Sequence, residues 1–417
     1  MHTYLVVGSG GREHAIAWKL AQEPGARVVV APGNPGIAAD LGDESCVAVQ
    51  ASDLAGLASL ARELNADLTV VGPEAPLCAG IVDVFRAQGL PIFGPTQACA
   101  QLEASKHFAK VTMERAGIPT AAYRTFVDVE RAIEYARGAE HPLVIKADGL
   151  AGGKGVTISA DVAQSVATLR SYMSHGQFGQ ASQQVVIEEF LTGPELSFMV
   201  VCDGTRAVPL ATSRDHKRLQ TGDLGPNTGG MGAIVPSPDT TPDVEAFVMA
   251  QVIEPILHVM AEDGTPYVGF LYAGLMLTPS GPKVLEFNVR LGDPETQALL
   301  FGMREPLGPA LISAAAGHAV SLGEFEPACC VVLASAGYPD APQTGKRIAG
   351  IGMNTPDTHV FHAGTQHREE EWQTAGGRVL AVVGRGGSPQ DARKLAYQAC
   401  HAIAFDGMQM RTDIGLS

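Results

Sequence analysis

Short apolar runs, each followed closely by glycine or proline, recur through the first hundred residues. The runs are Tyr4–Val7, Arg27–Val30, Leu68–Val71 and Pro91–Phe93. Apolar runs with little polar alternation are typical of parallel strands buried on both faces, and a helical pattern that begins at about Arg12 suits the connection between two such strands. The pattern predicts a parallel α/β domain over residues 1–102.

The pattern changes to a different arrangement of strands beyond about residue 121. The predicted elements there are strands at Leu143–Lys146, Gly155–Ile158, Val185–Glu189, Val331–Ala334, Val360–His362 and Arg378–Val383, a hairpin turn at 278–282 and a helix at about Pro389–Ala404. A chain of this length divides into about two to four domains. We expect a central domain over residues 103–325, which contains a mobile subdomain at about 121–191, and a C-terminal domain over 326–417.

One predicted strand, at 284–291, carries an unusual set of polar residues. Alternation places Glu286, Asn288 and Arg290 on one face. The same face holds Val284, and the opposite face holds Leu285, Phe287, Val289 and Leu291. A carboxylate and a carboxamide oxygen two residues apart suit a hard cation such as Mg²⁺. The alternative is a solvent-facing edge strand with an ion pair, but the Gly-Asp-Pro-Glu sequence at 292–295 favours a shaped binding loop.

The formal charge of −15 limits the classes of partner. Nucleic acids and anionic membranes bind clustered Lys and Arg, so we expect neither as a partner. Small phosphorylated ligands need only a few local cations and are compatible with this charge. The seven cysteines form no C-x-x-C motif, and the N-terminus carries one short apolar strand rather than a signal peptide. We therefore expect a cytoplasmic protein with reduced thiols.

A first glycine-rich loop, Gly8–His14, follows the first predicted strand and opens a helix, where backbone N–H groups favour an anion. A dinucleotide fingerprint would need glycine in place of Glu13 and an acid after the second strand, where the chain has Gly33 and Asn34. A phosphate-bearing substrate is therefore favoured over NAD, and tight helix–strand packing is the alternative. Ligands of parallel sheets bind in the loops that follow the strands. The candidates for the substrate phosphate are Gly10, Gly11 and Asn34.

A second glycine-rich loop, 148–155, lies between two predicted strands and lacks the Gly-Lys-Ser/Thr ending of a Walker A motif. We expect a flexible flap whose amides close over nucleotide phosphates. Lys146 interrupts the apolar strand before the loop, and a lysine that points inward from such a strand needs an anion. A lysine that reaches solvent from an edge strand is the alternative. Lys106, near the start of a helix, is the candidate for a second phosphate contact.

Acidic residues end the predicted strand Val185–Glu189 and follow it at Glu195. Backbone groups there suit adenine and carboxylates suit ribose, although any one such acid is more often a solvated strand end. The order along the chain carries more weight. A lysine, a glycine-rich flap, a second lysine, Glu-Glu-Phe-Leu, a further glutamate and the Glu-x-Asn strand follow one another from Lys146 to Asn288.

That order resembles the ATP-grasp superfamily, and longer motifs resemble its glycinamide ribonucleotide synthetase family. The motifs are Gly8–His14, Ala31–Asn34, Val71–Pro76, Lys146–Gly149, Asp215–Arg218, Gly225–Ala233, Arg290–Gln297, Gly376–Leu380 and Asp413–Gly415. They extend over essentially the whole chain, and Asp-His-Lys-Arg and Arg-x-Gly-Asp-Pro-Glu are the most specific. The chain departs from the family pattern at Gly152, where that pattern has alanine, and in its shorter tail.

The resemblance implies a multidomain α/β and α+β fold. Its parts are a Rossmann-like N-terminal domain, an ATP-grasp domain with a mobile subdomain, and a small C-terminal α+β domain. The implied activity is ligation of glycine to 5-phosphoribosylamine through a glycyl phosphate, which gives glycinamide ribonucleotide, ADP and phosphate in purine biosynthesis. The implied cofactors are ATP and Mg²⁺ or Mn²⁺, the partners are the two small substrates, and we expect a monomer or weak dimer.

The resemblance also implies residue roles. Glu286 and Asn288 would hold the metal. The triphosphate charge would be offset by Lys106, Lys146 and Arg218, and the other nucleotide contacts would be Gly153, Glu188, Glu189, Phe190, Leu191, Glu195 and Asn227. Arg290 would meet the glycine carboxylate or its acyl phosphate, and Asp215 or Asp293 would hold the glycine ammonium.

Two other functions are compatible with parts of the pattern. Another ATP-grasp carboxylate–amine ligase or carboxylase would keep Glu286 and Asn288 but not the full Asp-His-Lys-Arg and Gly-Asp-Pro-Glu set. A nucleotide-binding regulator without turnover would lack a metal ligand or a phosphate lysine, and the sequence retains both kinds of residue. Both alternatives are therefore less favoured.

Overall fold

Four parallel strands form the N-terminal sheet of a computed structural model that describes residues 2–152, 154–352 and 354–416. The elements are β1 (Thr3–Gly8), α1 (Gly11–Ala21), β2 (Arg27–Pro32), α2 (Pro35–Leu41), α3 (Leu54–Glu63), β3 (Leu68–Val71), α4 (Glu74–Cys78), α5 (Ile81–Ala87), β4 (Ile92–Phe93), α6 (Gln97–Ala104) and α7 (Lys106–Arg115). The strand order is β2-β1-β3-β4. All strands run in one direction, so the loops after β1, β2 and β3 meet at one edge of the sheet.

A small antiparallel sheet with its own core follows. Its elements are β5 (Tyr123–Phe126), α8 (Val129–Gly138), β6 (Leu143–Ala147), β7 (Val156–Ser159), α9 (Val162–Leu169) and β8 (Val185–Glu189), and the strand order is β5-β8-β6-β7. The two helices pack on one face of the sheet around Ile133, Ile145 and Ile187, in a cluster separate from the other cores. A separate core is what a movable subdomain needs, and its mobility stays a prediction.

The central sheet carries the strand that the sequence singled out. The elements of this segment are β9 (Glu195–Asp203), β10 (Ala207–Pro209), β11 (Arg214–Asp215), β12 (Arg218–Gln220), β13 (Leu224–Asn227), β14 (Gly232–Val235), α10 (Pro242–Val248), α11 (Glu254–Glu262), β15 (Val268–Thr278), β16 (Gly281–Asn288), α12 (Glu295–Gly302) and α13 (Leu307–Ala315). The sheet order is β10-β9-β15-β16, and the predicted hairpin turn joins β15 to β16.

A bulge in β16 makes part of the predicted alternation wrong. Opposite Gly274 and Leu275, the pairing passes from Glu286 to Val284, so Leu285 is an extra residue. Val284 is therefore fully buried in the same core as Phe287, whereas Leu285 lines a cavity. The strand ends at Asn288, two residues before Arg290. A bulge depends on the partner strand, which a period-2 pattern does not include.

The C-terminal sheet is built from two distant parts of the chain. The elements of the last segment are β17 (Ala328–Ala334), β18 (Thr358–His362), β19 (Thr365–Arg368), β20 (Glu371–Thr374), β21 (Arg378–Arg385) and α14 (Pro389–Cys400). The sheet order is β11-β14-β17-β21-β18, and β19 and β20 form a separate hairpin. β11 and β14 come from the central segment, so the predicted boundary at 325/326 divides one sheet. The domain limits stay a prediction. α14 ends at Cys400, four residues before the predicted end, because Ala404 pairs with Ala349 instead.

One helical stretch, Pro242–Glu262, is long and apolar enough to cross a membrane by length and composition alone. A core helix of a soluble protein passes the same test. Here Val252, Ile253 and Ile256 are fully buried in the main core, so these apolar residues pack against protein. The expected lack of a membrane partner stays a prediction.

Candidate active site

Residues from all three sequence segments surround one cavity of about 360 Å³. Seven of the residues that the sequence proposed line it: Lys106, Lys146, Glu188, Glu286, Asn288, Arg290 and Asp293. Residues that the sequence did not propose join them: Arg12, Glu74, Glu103, Lys110 and Arg378. The second glycine-rich loop covers part of the cavity with Gly149, Leu150, Ala151, Gly152 and Gly155, while Gly153 lies outside the described residues.

Two buried lysines share one carboxylate at the inner end of the cavity. Lys146 lies 2.9 Å from Glu188 Oε1, and Lys110 lies 3.1 Å from Glu188 Oε2. Lys146 Nζ also donates to the carbonyl of Leu285 at 3.0 Å. Burial lowers the pKa of Lys110 to about 8, although Glu188 opposes that shift. Glu188 is thus committed to the two lysines. The sequence did hold a signal for Lys110, since it stands one helical turn after Lys106.

The second loop is attached to the start of α7. Asp148 accepts hydrogen bonds from Ser105 Oγ and from the backbone N–H of His107, each at 3.1 Å. Lys106 Nζ donates to the carbonyl of Gly149 at 3.1 Å, and burial lowers the pKa of this lysine. The aspartate therefore does not face the cavity as a free anion. Lys106 therefore contacts the second loop and also lines the cavity.

Glu286 and Asn288 fit a divalent cation. In the described parts of the chain, the Glu286 side chain makes no hydrogen bond and no ion pair. Burial raises the pKa of Glu286, but Lys217, Lys146, Lys106 and Arg290 outweigh burial and hold the pKa below its ordinary value. An ionised, unpaired carboxylate beside a carboxamide oxygen is the donor set that Mg²⁺ prefers. Lys217, inside the Asp-His-Lys-Arg motif, is a residue that the sequence analysis missed.

Two glutamates hold Arg290 against the metal candidates. Its Nη2 lies 2.8 Å from Glu103 Oε1 and donates to Asn288 Oδ1 at 3.0 Å, while its Nε reaches Glu74 only at 3.4 Å. Glu103 Oε2 accepts the backbone N–H of Val289 at 2.7 Å, so both oxygens of this buried glutamate are engaged. The guanidinium is therefore firmly held at Nη2 and weakly held along its other edge. Its Nη1 donates to the carbonyl of Leu291 at 3.3 Å, so Nε and Nη1 have only long contacts, which a carboxylate could replace.

The two aspartates proposed for the glycine ammonium differ in their surroundings. Asp293 Oδ2 lies 2.9 Å from Arg378, and Asp293 Oδ1 accepts from Gln297 at 2.8 Å. Asp215 Oδ1 is buried and has no hydrogen-bond partner among the described residues. Burial, reinforced by Glu295, raises the pKa of Asp215 well above its ordinary value. Asp293 lines the cavity but is paired, whereas Asp215 is unpaired but lies outside the cavity lining. The role of either aspartate toward glycine stays a prediction.

The other proposed nucleotide contacts lie outside the cavity lining. They are Glu189, Phe190, Leu191, Glu195, Arg218 and Asn227. Glu195 pairs with Lys217 at 2.7 Å, and Glu189 pairs with Lys283 at 2.9 Å. Arg218 lies opposite Asn227 in the β12–β13 hairpin and donates to the carbonyl of Gly225. Their roles toward a nucleotide stay predictions.

The first glycine-rich loop is filled by a side chain of the protein itself. The carboxylate of Glu13 accepts the N–H of Gly10 at 2.6 Å and the Nε–H of Arg12 at 2.7 Å. The contact with Gly10 is one half of a capping box at the start of α1, because the N-cap glycine has no side chain to complete it. Asn34 caps α2 through Oδ1 and donates to the carbonyl of Ser9 at 2.8 Å. The assignment of Gly10, Gly11 and Asn34 to the substrate phosphate stays a prediction.

A second polar cluster joins His14, Asp40 and His359, each imidazole Nε2 lying 2.9 Å from Asp40 Oδ2. His14 Nδ1 accepts the backbone N–H of His362 at 2.9 Å, so its proton resides on Nε2. A neutral imidazole in that tautomer cannot ligate a metal through Nε2. The cluster is a hydrogen-bonded contact between α1, α2 and β18.

Comparisons with known proteins agree with this geometry. The phosphoribosylglycinamide synthetase N domain matches residues 2–103, the ATP-grasp (A) domain matches 104–296 and the C domain matches 328–417. The chain belongs to the phosphoribosylglycinamide synthetase family. Phosphoribosylamine–glycine ligases of Allochromatium vinosum and Ralstonia nicotianae are each 50% identical to this chain, over 99% of its length and over 97% and 98% of theirs.

Solved structures share the fold of this chain. Phosphoribosylamine–glycine ligase of Thermotoga maritima superposes with a TM-score of 0.84 at 35% identity, over 99% of this chain and 100% of that one. A biotin carboxylase domain of Hydrogenobacter thermophilus, solved with MgADP, shares the fold with a TM-score of 0.77 at 16% identity, over 98% of this chain and 91% of that one. The family resemblance, the fold class and the assignment to ATP-grasp ligases that the sequence indicated are confirmed.

Proposed function

We propose that the chain ligates glycine to 5-phosphoribosylamine, with ATP activating the glycine carboxylate as a glycyl phosphate. The observation that carries the proposal is the convergence of Lys106, Lys146, Glu286, Asn288 and Arg290 on one cavity, as the family motifs require. The full-length similarity to phosphoribosylamine–glycine ligases supports the choice of substrates. The rival ATP-grasp reactions have no comparable support.

The reaction needs charge neutralisation more than it needs a covalent catalyst. A carboxylate resists attack because its charge is delocalised, and transfer of the γ-phosphoryl group turns one oxygen into a leaving group. Lys106 and Lys146 are placed to offset triphosphate charge. Glu286 and Asn288 would hold Mg²⁺ or Mn²⁺, which would supply positive charge beside the phosphates. Arg290 is placed to pair with the glycine carboxylate and then with the acyl phosphate.

The glycine ammonium group is assigned to Asp215 rather than Asp293. Asp293 is already paired with Arg378 and Gln297, whereas Asp215 Oδ1 is unpaired and buried. A carboxyl group whose pKa is raised can release its proton when a cation arrives, because the cation restores the missing counter-charge. The remaining nucleotide contacts follow the family pattern: Gly153, Glu189, Phe190, Leu191, Glu195, Arg218 and Asn227. Glu188 would act toward the nucleotide through Lys110 and Lys146, with which it pairs.

Closure of the second loop over the cavity would keep water from the acyl phosphate. We further infer that the enzyme acts in the cytoplasm as a monomer or weak dimer, with no nucleic-acid or membrane partner. The charge of −15 supports the last inference.

ADP release measures the proposed reaction directly. We expect release to depend on glycine and on phosphoribosylamine generated from ribose 5-phosphate and ammonia, with one ADP formed per amide. ADP release that is independent of either substrate would contradict the proposal, and another acid that replaces glycine equally well would point to a sibling ligase.

A further inference from the structure

The attacking amine must lose a proton as the amide forms, so the site needs a carboxylate or another base near the acyl phosphate. The carboxylates that line the cavity in the described parts of the chain are Glu74, Glu103, Glu188, Glu286 and Asp293. Their contacts decide which of them is available.

Three of these carboxylates are committed to other groups. Glu103 uses one oxygen on Arg290 and the other on a backbone N–H. Glu188 pairs with two lysines, and Asp293 pairs with an arginine and an amide. A fourth, Glu286, is proposed for the metal. Apart from a hydrogen bond with its own backbone, Glu74 makes one contact among the described residues, 3.4 Å to Arg290 Nε, and its side chain is 29% exposed. Glu74 is therefore the cavity carboxylate with the weakest protein partner.

Glu74 also stands where the two substrates must meet. It begins α4, two residues after Gly72 at the carboxyl edge of the parallel sheet. The loops after β1 and β2 end at the same edge, where a phosphoribosyl group is expected. From that edge Glu74 reaches Arg290, which is placed to bind the glycyl end. A carboxylate at this junction lies between the ribosyl group and the activated carbonyl.

We infer that Glu74 holds the amine of phosphoribosylamine and accepts its proton during amide formation. The inference rests on the proposed function, because glycyl phosphate is the electrophile. The nitrogen lone pair forms the C–N bond, and the C–O bond to phosphate breaks with its electron pair on the phosphate oxygen. The proton released from nitrogen passes to the Glu74 carboxylate. Nearby Arg290 and Arg12 hold the pKa of Glu74 below its ordinary value despite burial, so the carboxylate is ionised.

Hydroxylamine separates this role from the rest of the reaction, because it traps glycyl phosphate as a hydroxamate without a ribosyl group. In Glu74→Gln we expect hydroxamate formation from glycine and MgATP within about twofold of the parent. We expect kcat/KM for phosphoribosylamine to fall on the order of a hundredfold, in line with loss of a positioned proton acceptor. Glu74→Asp should recover part of the loss. Glu63→Gln, an exposed glutamate on α3 outside the cavity, is the matched control and should match the parent in both assays.

Each outcome has one meaning. Equal losses in both assays would overturn the inference, because Glu74 would then act by positioning Arg290 for glycine. Unchanged amide synthesis would also overturn it. Glu74→Ala gives an independent measurement, since formate should restore amide synthesis without changing hydroxamate formation, and no response to formate would contradict the inference. Absence of hydroxamate in the parent would instead contradict the glycyl phosphate of the proposed function.

Discussion

The two glycine-rich loops look alike in the sequence, but in the structure the first is filled by a side chain of the protein and the second is open. A Cβ atom at Gly8 would lie 2.4 Å from Glu13, and one at Gly72 would lie 2.1 Å from the same side chain. Those glycines make room for a carboxylate of the protein. At Gly152 no described atom lies within 4 Å of the Cβ position, and the loop faces a cavity lined by lysines. The first loop is occupied by the carboxylate of Glu13, and the second loop leaves space for the anion of a ligand.

The difference shows what a glycine-rich motif does and does not establish. Glycine permits close approach in either loop, but the approaching group is decided by its neighbours. In the first loop Glu13 pairs with the helix start and with Arg12. In the second loop the nearest acid, Asp148, turns back to cap α7, and the cations Lys106 and Lys146 face the opening. Bound phosphate is favoured where cations outnumber the local acids.

Local patterns predicted the elements well where the chain itself sets the structure. Leu68–Val71 and Val185–Glu189 have the predicted limits, because buried apolar runs with turn residues at their ends define a strand without help from its partners. The metal candidates Glu286 and Asn288 were likewise visible as alternating polar residues. The hydrogen bond between Glu13 and the Gly10 N–H was not predicted, although a glutamate at the third position of a helix can accept the N–H of the N-cap residue.

Long-range pairing set the limits of prediction. β14 belongs to a sheet completed by strands about one hundred residues later, and nothing in Gly232–Val235 indicates that partner. The bulge at Leu285 depends on the strand opposite. Glu103 and Lys110 gain their roles only through Arg290 and Glu188, which are far away in the sequence. A residue whose role is to contact a side chain far away in the sequence gives no recognisable pattern in its own stretch of sequence.

The largest effect is expected beneath the second loop, at the proposed metal site. Glu286→Gln keeps the shape but removes the negative charge, so we expect activity to fall on the order of a hundredfold. Excess Mg²⁺ should restore part of the activity. Steady-state rates across a Mg²⁺ series test this, and a parent-like rate in limiting Mg²⁺ would remove Glu286 from the metal site.

Arg290 tests whether the cavity offers a planar fork or only positive charge. Arg290→Lys should lose nearly as much kcat/KM for glycine as Arg290→Ala, because an ammonium group cannot replace paired N–H donors on a carboxylate. Arg304→Lys, an exposed arginine paired with Glu326, is the matched control and should behave as the parent. A lysine variant that retains the parent rate would show that Arg290 contributes charge alone.

The second loop should respond to added side chains mainly in turnover. Gly152→Ala meets no described atom but strains a backbone with φ of +56°, at a cost of about 1 kcal/mol. We expect turnover to fall several-fold while MgATP affinity changes little, since an open loop must close over phosphates.

Hydrogen exchange tests the mobility of the same loop. Amide hydrogen exchange at residues 148–155 should slow when a non-hydrolysable ATP analogue and Mg²⁺ bind. Equally slow exchange without ligand would indicate a rigid loop, and a loss confined to binding would make it a static contact.

The smallest effect on turnover is expected at Glu13, in the loop that is already filled. Glu13→Gln retains an oxygen for the Gly10 N–H but loses the charge that pairs with Arg12, so the free energy of unfolding should fall by about 1 kcal/mol. MgATP affinity should not change, because the nucleotide is assigned to the other loop.

The Glu13→Gln variant also tests where the ribose phosphate binds. If the ribose phosphate uses the amide of Gly10, it competes with the Glu13 carboxylate, and the neutral variant should show a KM for phosphoribosylamine that is a few-fold lower. An unchanged KM would place the phosphate elsewhere on the sheet edge. Weakened MgATP binding in Glu13→Gln would contradict the assignment of the nucleotide to the second loop, because it would show that the first loop also contributes to nucleotide binding.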